Sequence, residues 1–187
     1  MMKILAVSGS LRAKSSNTMI LQALVDLAPD VMNIKIYDGI GNLPHFNPDI
    51  DNENALISVI DWRSQLQNSD GVIFCTPEYA HGVPGVLKNS LDWIVSSGEF
   101  MYKPTAVISA SPTPDGGAKA NASLVQTLRV MMAAIAEGTV LSIPAVSAKL
   151  NHENKLIDPV TAIALRSVLD NLELSIDGSL SKQSSME

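Results

Sequence analysis

Apolar positions fall along the chain in two rhythms. Ile4-Leu5-Ala6-Val7, Gly71-Val72-Ile73-Phe74-Cys75 and Thr105 to Ser109 are short, nearly continuous apolar runs bounded by turn-forming residues. Such runs predict strands covered on both faces, because a strand with one wet face alternates instead. Asn33 to Tyr37 and Thr139 to Ile143 complete a set of five, the former reading as an edge strand. Elsewhere the apolar residues recur three and four apart, which places them on one face of a helix. Met19, Ile20, Ala23, Leu24 and Leu27 predict a first helix, closed by Pro29. Leu56, Val59, Ile60 and Leu66 predict a second over 55–67, and Leu87, Leu91, Ile94 and Val95 a third over about 86–95. Leu124, Leu128, Met131 and Ile135 predict a fourth over about 118–136. A closing helix is expected over 159–174, with Pro159 suited to its first turn. The stretch 38–54, with Pro44 and Pro48, reads as irregular.

Strand and helix therefore alternate, the pattern of a parallel sheet with helices on both faces. No internal repeat, low-complexity tract or linker interrupts it, so residues 1–187 are expected to form one domain, with 178–187 a Ser-rich, frayed tail. Ligands of open sheets of this kind bind beyond the carboxyl ends of the strands, where strand order reverses. The loops after strands 1, 3 and 4 are the richest in Gly, Ser and Pro, so they are expected to converge on one site.

Composition removes several function classes. Acidic residues outnumber basic ones and the net charge is −6, which argues against nucleic acid as a partner. No apolar run approaches the roughly 20 residues needed to cross a bilayer. The N-terminus lacks the layout of a signal peptide. Cys75 is the only cysteine, so no intrachain disulfide can form, which fits a reducing compartment. A cytoplasmic protein with no membrane partner is the expectation.

The first loop, Ser8 to Asn17 (SGSLRAKSSN), has the chemistry of a phosphate site. Lys14-Ser15 mimics the end of a P-loop, but the glycine that should stand at position 14 is missing. A dinucleotide fingerprint fails as well, since Gly9 is the only glycine in the loop. What remains suits one terminal phosphate: free N–H groups and the dipole at a helix start, hydroxyls of Ser10, Ser15 and Ser16, the amide of Asn17, and the charge of Arg12. The same serines and asparagine would equally serve as helix caps.

The second loop extends the pattern. Thr76 to Trp93 reads TPEYAHGVPGVLKNSLDW. Together with GSLRAKSSN it resembles the NAD(P)H-dependent FMN reductases, a flavodoxin-like family that includes quinone, chromate and azo-dye reductases. That family carries G-S-L-R-x-x-S-x-N after its first strand and T-P-E-Y-N-x-x-x-P-G-x-L-K-N-x-x-D-W after its third. Gly116-Gly117-Ala118-Lys119-Ala120 resembles a further family segment, G-G-A-R-A/C. The resemblance spans roughly residues 3–145. It implies a flavodoxin-like three-layer α/β sandwich with a five-stranded parallel sheet of order 2-1-3-4-5.

The resemblance also implies FMN as cofactor and NADPH or NADH as co-substrate. By residue, Ser10, Leu11, Arg12, Ser15, Ser16 and Asn17 would line the phosphate site. Pro77, Glu78, Tyr79 and Ala80 would border the isoalloxazine ring, and Ser111 would close its other side. The flavin carries the redox chemistry, so no catalytic side chain and no metal are required. The implied activity is hydride uptake from NAD(P)H followed by reduction of a quinone, free flavin, azo compound or metal oxyanion, in ping-pong order. A homodimer or homotetramer is implied, with the helix after P-E-Y at the contact. The alternatives are a flavodoxin-type electron carrier, or a family member that has lost FMN.

Three positions depart from the family pattern. Ala80 stands where the family has asparagine, His81 follows it, and Lys119 replaces an arginine. His81 has the chemistry to donate a proton to a reduced quinone, although an exposed loop histidine is more often idle. Cys75 reads as a small buried packing residue and Glu78 as a structural loop residue or dimer contact. Asp92 and Trp93 read as subunit contacts, and Met131-Met132 as core or interface packing. His45 and His152 lack metal-spaced companions.

Overall fold

The computed structural model describes residues 1–52 and 56–184, with side chains described through residue 179. Five parallel strands form one sheet: β1 (Met2–Ser8), β2 (Met32–Tyr37), β3 (Gly71–Thr76), β4 (Thr105–Ala110) and β5 (Val140–Ile143). Their order is β2-β1-β3-β4-β5, so the chain reverses its direction of winding between β1 and β3. Central strands β3 and β4 are buried throughout, as their unbroken apolar runs require, whereas β2 alternates at the sheet edge.

Helices cover both faces. Helix α1 (Ser16–Leu27) and helix α5 (Pro159–Ser184) pack Ile20, Leu24, Leu165, Leu169 and Leu172 against Ile4, Ala6, Ile73 and Ile108. On the other face, α2 (Ile57–Gln67), α3 (Gly85–Asp92) and α4 (Ala118–Val130) pack Trp62, Leu66, Leu87, Leu91, Leu124 and Leu128 against Leu5, Val7, Phe74 and Val107. Neighbours along each strand thus serve opposite cores, the consequence of a two-residue side-chain period. This is the flavodoxin-like three-layer arrangement.

Four expectations need correction. The fourth helix stops at Val130 rather than near residue 136. Met132 turns to φ +63°, and Ala134 then donates to the Lys103 carbonyl and accepts from the Thr105 amide, which lays 131–136 alongside the start of β4. The apolar spacing there reflects Met131 and Ile135 packing on the core from irregular chain. The closing helix does not end at Leu174; it continues to Ser184, and 185–187 lie outside the described residues. The stretch after β2 is not irregular throughout, since it carries 3-10 turns at Gly39–Asn42 and Pro48–Ile50. Residues 53–55, where the second helix was expected to begin, also lie outside the described residues.

Trp93 is the fourth correction. It is fully buried within its own chain, where its indole N–H donates to the Pro44 carbonyl at 2.9 Å and its ring meets Phe46 edge-on. It therefore anchors the stretch 38–52 and is unavailable to another subunit. Arg63 fastens the same stretch, donating to the Trp93 carbonyl at 2.6 Å and to Asp51 at 2.8 Å. No helix among the described residues is long and apolar enough to cross a membrane.

Candidate functional site

The loops after β1, β3 and β4 meet at the carboxyl end of the sheet, beside the β1/β3 reversal. Gly9 marks the first junction. A Cβ there would lie 3.0 Å from Leu87 Cδ2, 3.2 Å from Thr76 Oγ1 and 3.4 Å from Pro77 Cδ, so only glycine lets the first loop press on the second. Gly117 marks the next junction, its missing Cβ facing Glu78, Ser109 and Ser111 at 3.4 to 3.6 Å. Its φ of +79° also suits glycine. An open cleft of about 380 Å³ lies between the first two loops, lined by Gly9, Leu11, Arg12, Tyr79, Pro84, Gly85 and Val86.

The first loop leaves polar donors without partners at the start of α1. Ser15 is the N-cap of α1 and only 2% exposed, yet its side chain makes no capping hydrogen bond. The first intrahelical bond runs from the Met19 amide to the Ser15 carbonyl, so the N–H groups of Ser16, Asn17 and Thr18 have no helical partner. No acidic residue occupies the first turn to satisfy the helix dipole. A Ser15 hydroxyl that makes no capping bond, N–H groups without helical partners and an exposed Arg12 fit a phosphate group. Ser10 supports the loop, accepting the Arg12 N–H on its hydroxyl at 3.3 Å. Leu11 extends outward, and its side chain covers Gly41, where a Cβ would come within 2.9 Å.

Asn17 is placed differently from the expectation. Its side chain is 3% exposed and turned inward. The amide donates to the Ala110 carbonyl at 3.2 Å, and its oxygen accepts from the Cys75 thiol at 3.2 Å. Its backbone N–H is left without a helical partner, while the side chain ties α1 to β3 and β4. Cys75 is the buried packing residue expected, and burial pushes its thiol far above the ordinary range.

The second loop closes on a tight turn. Tyr79 and Gly82 exchange backbone hydrogen bonds at 3.1 and 2.9 Å around Ala80 (φ +49°) and His81 (φ +63°), the geometry of a two-residue hairpin. Asparagine tolerates the left-handed region better than alanine does, which gives the family's asparagine at position 80 a backbone reason. Tyr79 is half-exposed at the cleft, and Pro77 is buried beneath it.

Glu78 faces away from the cleft, toward α4. One carboxylate oxygen accepts the backbone N–H groups of Lys119 at 3.0 Å and Ala120 at 3.1 Å. The other lies 3.0 Å from His81 Nδ1. Contact with His81 and the Ala120 N–H hold its carboxyl below the usual carboxylate range, against the opposing effect of burial. It thus ties the second loop to the start of α4. Ser111 faces this junction, with its hydroxyl 2.7 Å from that of Thr113. Spacing alone gave no sign of the buried network behind it, in which Ser109 donates to the Gly116 carbonyl and Asn121 donates to Ser109. Among the described residues no group of acidic, histidine or cysteine side chains could hold a metal.

Residues 2–147 match the family described as NADPH-dependent FMN reductase. A quinone reductase of Pseudomonas putida strain KT2440 is 42% identical over 130 residues, 67% of this chain and 68% of that protein. A 2-hydroxy-1,4-benzoquinone reductase of a Burkholderia species is 37% identical over 126 residues, 66% of this chain and 68% of that one. Among solved structures, the flavoenzyme NAD(P)H:(acceptor) oxidoreductase FerB of Paracoccus denitrificans superposes with a TM-score of 0.86. It is 29% identical, with 95% of this chain and 98% of that one covered.

Proposed function

The chain belongs to the NADPH-dependent FMN reductase family, and from that premise we propose that it reduces quinones at the cleft between its first two loops. It is an NAD(P)H-dependent oxidoreductase of the FMN reductase and quinone reductase type, with FMN as cofactor. Bound FMN supplies the redox chemistry, taking a hydride from NAD(P)H and passing two electrons onward. Ser15, Ser16, Arg12 and the free N–H groups of α1 hold its phosphate. Pro77, Tyr79 and the backbone of Ala80 border its ring, with Ser10, Leu11, Asn17, Glu78 and Ser111 supporting the walls.

The observation that carries this reading is the uncapped start of α1, where Ser15 makes no capping bond at the end of a loop whose Gly9, Leu11 and Arg12 line a cleft against the second loop. An open cleft suits sequential use by NAD(P)H and acceptor, hence ping-pong order. Quinones are the favoured acceptors because two relatives are named for them. Free flavins, azo compounds and metal oxyanions are secondary candidates. Residues 1–187 act as one FMN-binding domain, and dependence on NAD(P)H suits the cytoplasm. Ala80 does not favour loss of FMN, because the hairpin turn that holds its backbone is formed.

A homodimer or homotetramer is also proposed. A groove of about 380 Å³ between α3 and α4 carries exposed Val95, Met101, Val130 and Met132. It lies away from the three loops, so we read it as contact surface rather than chemistry. Light scattering of the purified protein reads this directly.

The test of function is a visible spectrum after incubation with FMN and desalting, followed by anaerobic NADH or NADPH and then a benzoquinone. Retained flavin bands, bleached by the nucleotide and restored by the quinone, are expected. Protein that retains no FMN, or retains it without bleaching, would refute the reading.

A further inference from the structure

Ser8 ends β1 on the face it shares with Ile4 and Ala6, the face that α1 covers. Its hydroxyl is fully engaged there. It donates to the Ser10 carbonyl at 3.4 Å, accepts the Ser10 N–H at 3.3 Å and accepts the Thr18 hydroxyl at 2.9 Å. One proton given and two lone pairs filled exhaust a hydroxyl. Because the Ser8 proton goes to Ser10, Thr18 must be the donor in its own contact, and its proton is committed as well. Ser10 in turn accepts the Arg12 N–H on its hydroxyl at 3.3 Å, and Arg12 lines the cleft. Three hydroxyls thus run from the first turn of α1, through the end of β1, to the loop that borders the cleft.

Thr18 departs from the other helical threonines. Thr127 in α4 donates to the Ser123 carbonyl four residues back, and Thr161 in α5 donates to Asp158 three residues back. A threonine hydroxyl in a helix ordinarily stays local in this way. Thr18 instead reaches a different element, ten positions back. Ser8 and Ser10 are each only 8% exposed, so water does not readily take over these contacts.

We propose that Thr18, acting through Ser8 and Ser10, is a positioning residue that sets the first loop for the FMN phosphate and thereby the preference for FMN over riboflavin. This rests on the reading above, in which the first loop holds the phosphate. A loop ordered before its ligand arrives spares binding the cost of ordering it. Thr18 serves twice: its N–H is one of those without a helical partner, and its hydroxyl holds the loop that faces the same helix start. The bonds of the three hydroxyls stay within the first loop and its flanks, whereas the ring is bordered by the second loop. Phosphate recognition and ring recognition should therefore respond differently to the loss of Thr18.

Fluorescence titration with FMN and with riboflavin, which lacks the phosphate, tests this. Thr18→Val keeps the branched shape and the backbone N–H and removes only the hydroxyl. It should weaken FMN binding about three- to tenfold, the worth of one net hydrogen bond, and leave riboflavin binding within about twofold. Thr18→Ser, which restores the hydroxyl, should bind FMN as the wild type does. Ser8→Ala should weaken FMN binding at least as much as Thr18→Val. The double variant should be no weaker than Ser8→Ala alone, because both changes break one connection. Unchanged FMN affinity in Thr18→Val, equal losses for FMN and riboflavin, or losses that multiply in the double variant would overturn the proposal while leaving the phosphate reading intact. Multiplying losses would mean that Thr18 touches the phosphate directly. Wild-type protein that binds riboflavin as tightly as FMN would overturn both.

Discussion

Asn17 and Cys75 meet beneath the floor of the cleft, the thiol donating to the Asn17 amide oxygen at 3.2 Å while the amide nitrogen donates to the Ala110 carbonyl. One side chain thereby joins the start of α1 to the ends of β3 and β4, where the loops of the candidate site begin. Replacing it with alanine leaves a buried carbonyl without its partner, which costs about 1–3 kcal/mol. Asn17→Ala is expected to lower stability by that amount in urea denaturation and to weaken FMN binding, because the helix start loses its tether.

Ser15→Ala separates binding from stability. The hydroxyl makes no capping bond in the protein itself, so its loss should change denaturation by no more than about 0.5 kcal/mol. A hydrogen bond to a charged phosphate is worth about 1.5–3 kcal/mol, or roughly ten- to a hundredfold in affinity. Fluorescence titration with FMN measures the second quantity. A stability loss as large as the affinity loss would mean that Ser15 is a cap after all.

The five parallel strands and the convergence of loops were legible in the sequence because both follow from short apolar runs and the placement of Gly, Ser and Pro. The sheet order came only with the resemblance to the FMN reductases. The helix limits were less so. The apolar rhythm of Leu124, Leu128, Met131 and Ile135 continues past Val130, yet Ala134 is claimed by the backbone of Lys103 and Thr105. Periodicity records which residues face a core, not whether the chain between them is helical. Similarly, Asn17 looks like a phosphate donor because a motif records identity without direction, and Trp93 looks like a subunit contact because its partner Pro44 lies 49 positions away. The Glu78 contact with α4 was hidden for the same reason, spanning 41 positions.

The turn at Ala80 offers a stabilising substitution. Alanine at φ +49° is strained by about 1–2 kcal/mol relative to its preferred regions. Asparagine relieves part of that strain, so Ala80→Asn should gain about 0.5–1 kcal/mol in urea. Gly82→Ala is the control: an added Cβ meets nothing nearer than the Tyr79 carbonyl at 3.7 Å, and a change within about 0.5 kcal/mol is expected. Equal responses at both positions would contradict the left-handed geometry.

Gly178 tests whether the last helix continues. It lies within α5, and an added Cβ there meets nothing within 4 Å. Alanine in an exposed helix interior is favoured over glycine by about 0.5–1 kcal/mol, so Gly178→Ala should raise stability by up to that amount. In a frayed tail the same change would do nothing. Circular dichroism melting of the two proteins distinguishes the cases.

Acid should loosen the start of α5 in a defined window. Asp158 accepts the Thr161 hydroxyl and the Thr161 N–H, and pairs with Lys149 at 3.0 Å. The Thr161 hydroxyl and Lys149 lower its carboxyl from 3.8 to about 2. A carboxylate lowered on folding adds stability that is fully present above its unfolded value and is lost as pH falls through the folded one. The Asp158 contribution is therefore complete at neutral pH and disappears between about pH 4 and pH 2. Asp51, Asp61, Glu78 and Asp115 are lowered as well, so their contributions fade in the same direction. Urea midpoints measured across that range should fall less steeply in Asp158→Asn than in the wild type, from a lower starting point at pH 7. Parallel curves would show that the Lys149 and Thr161 contacts do not persist in solution.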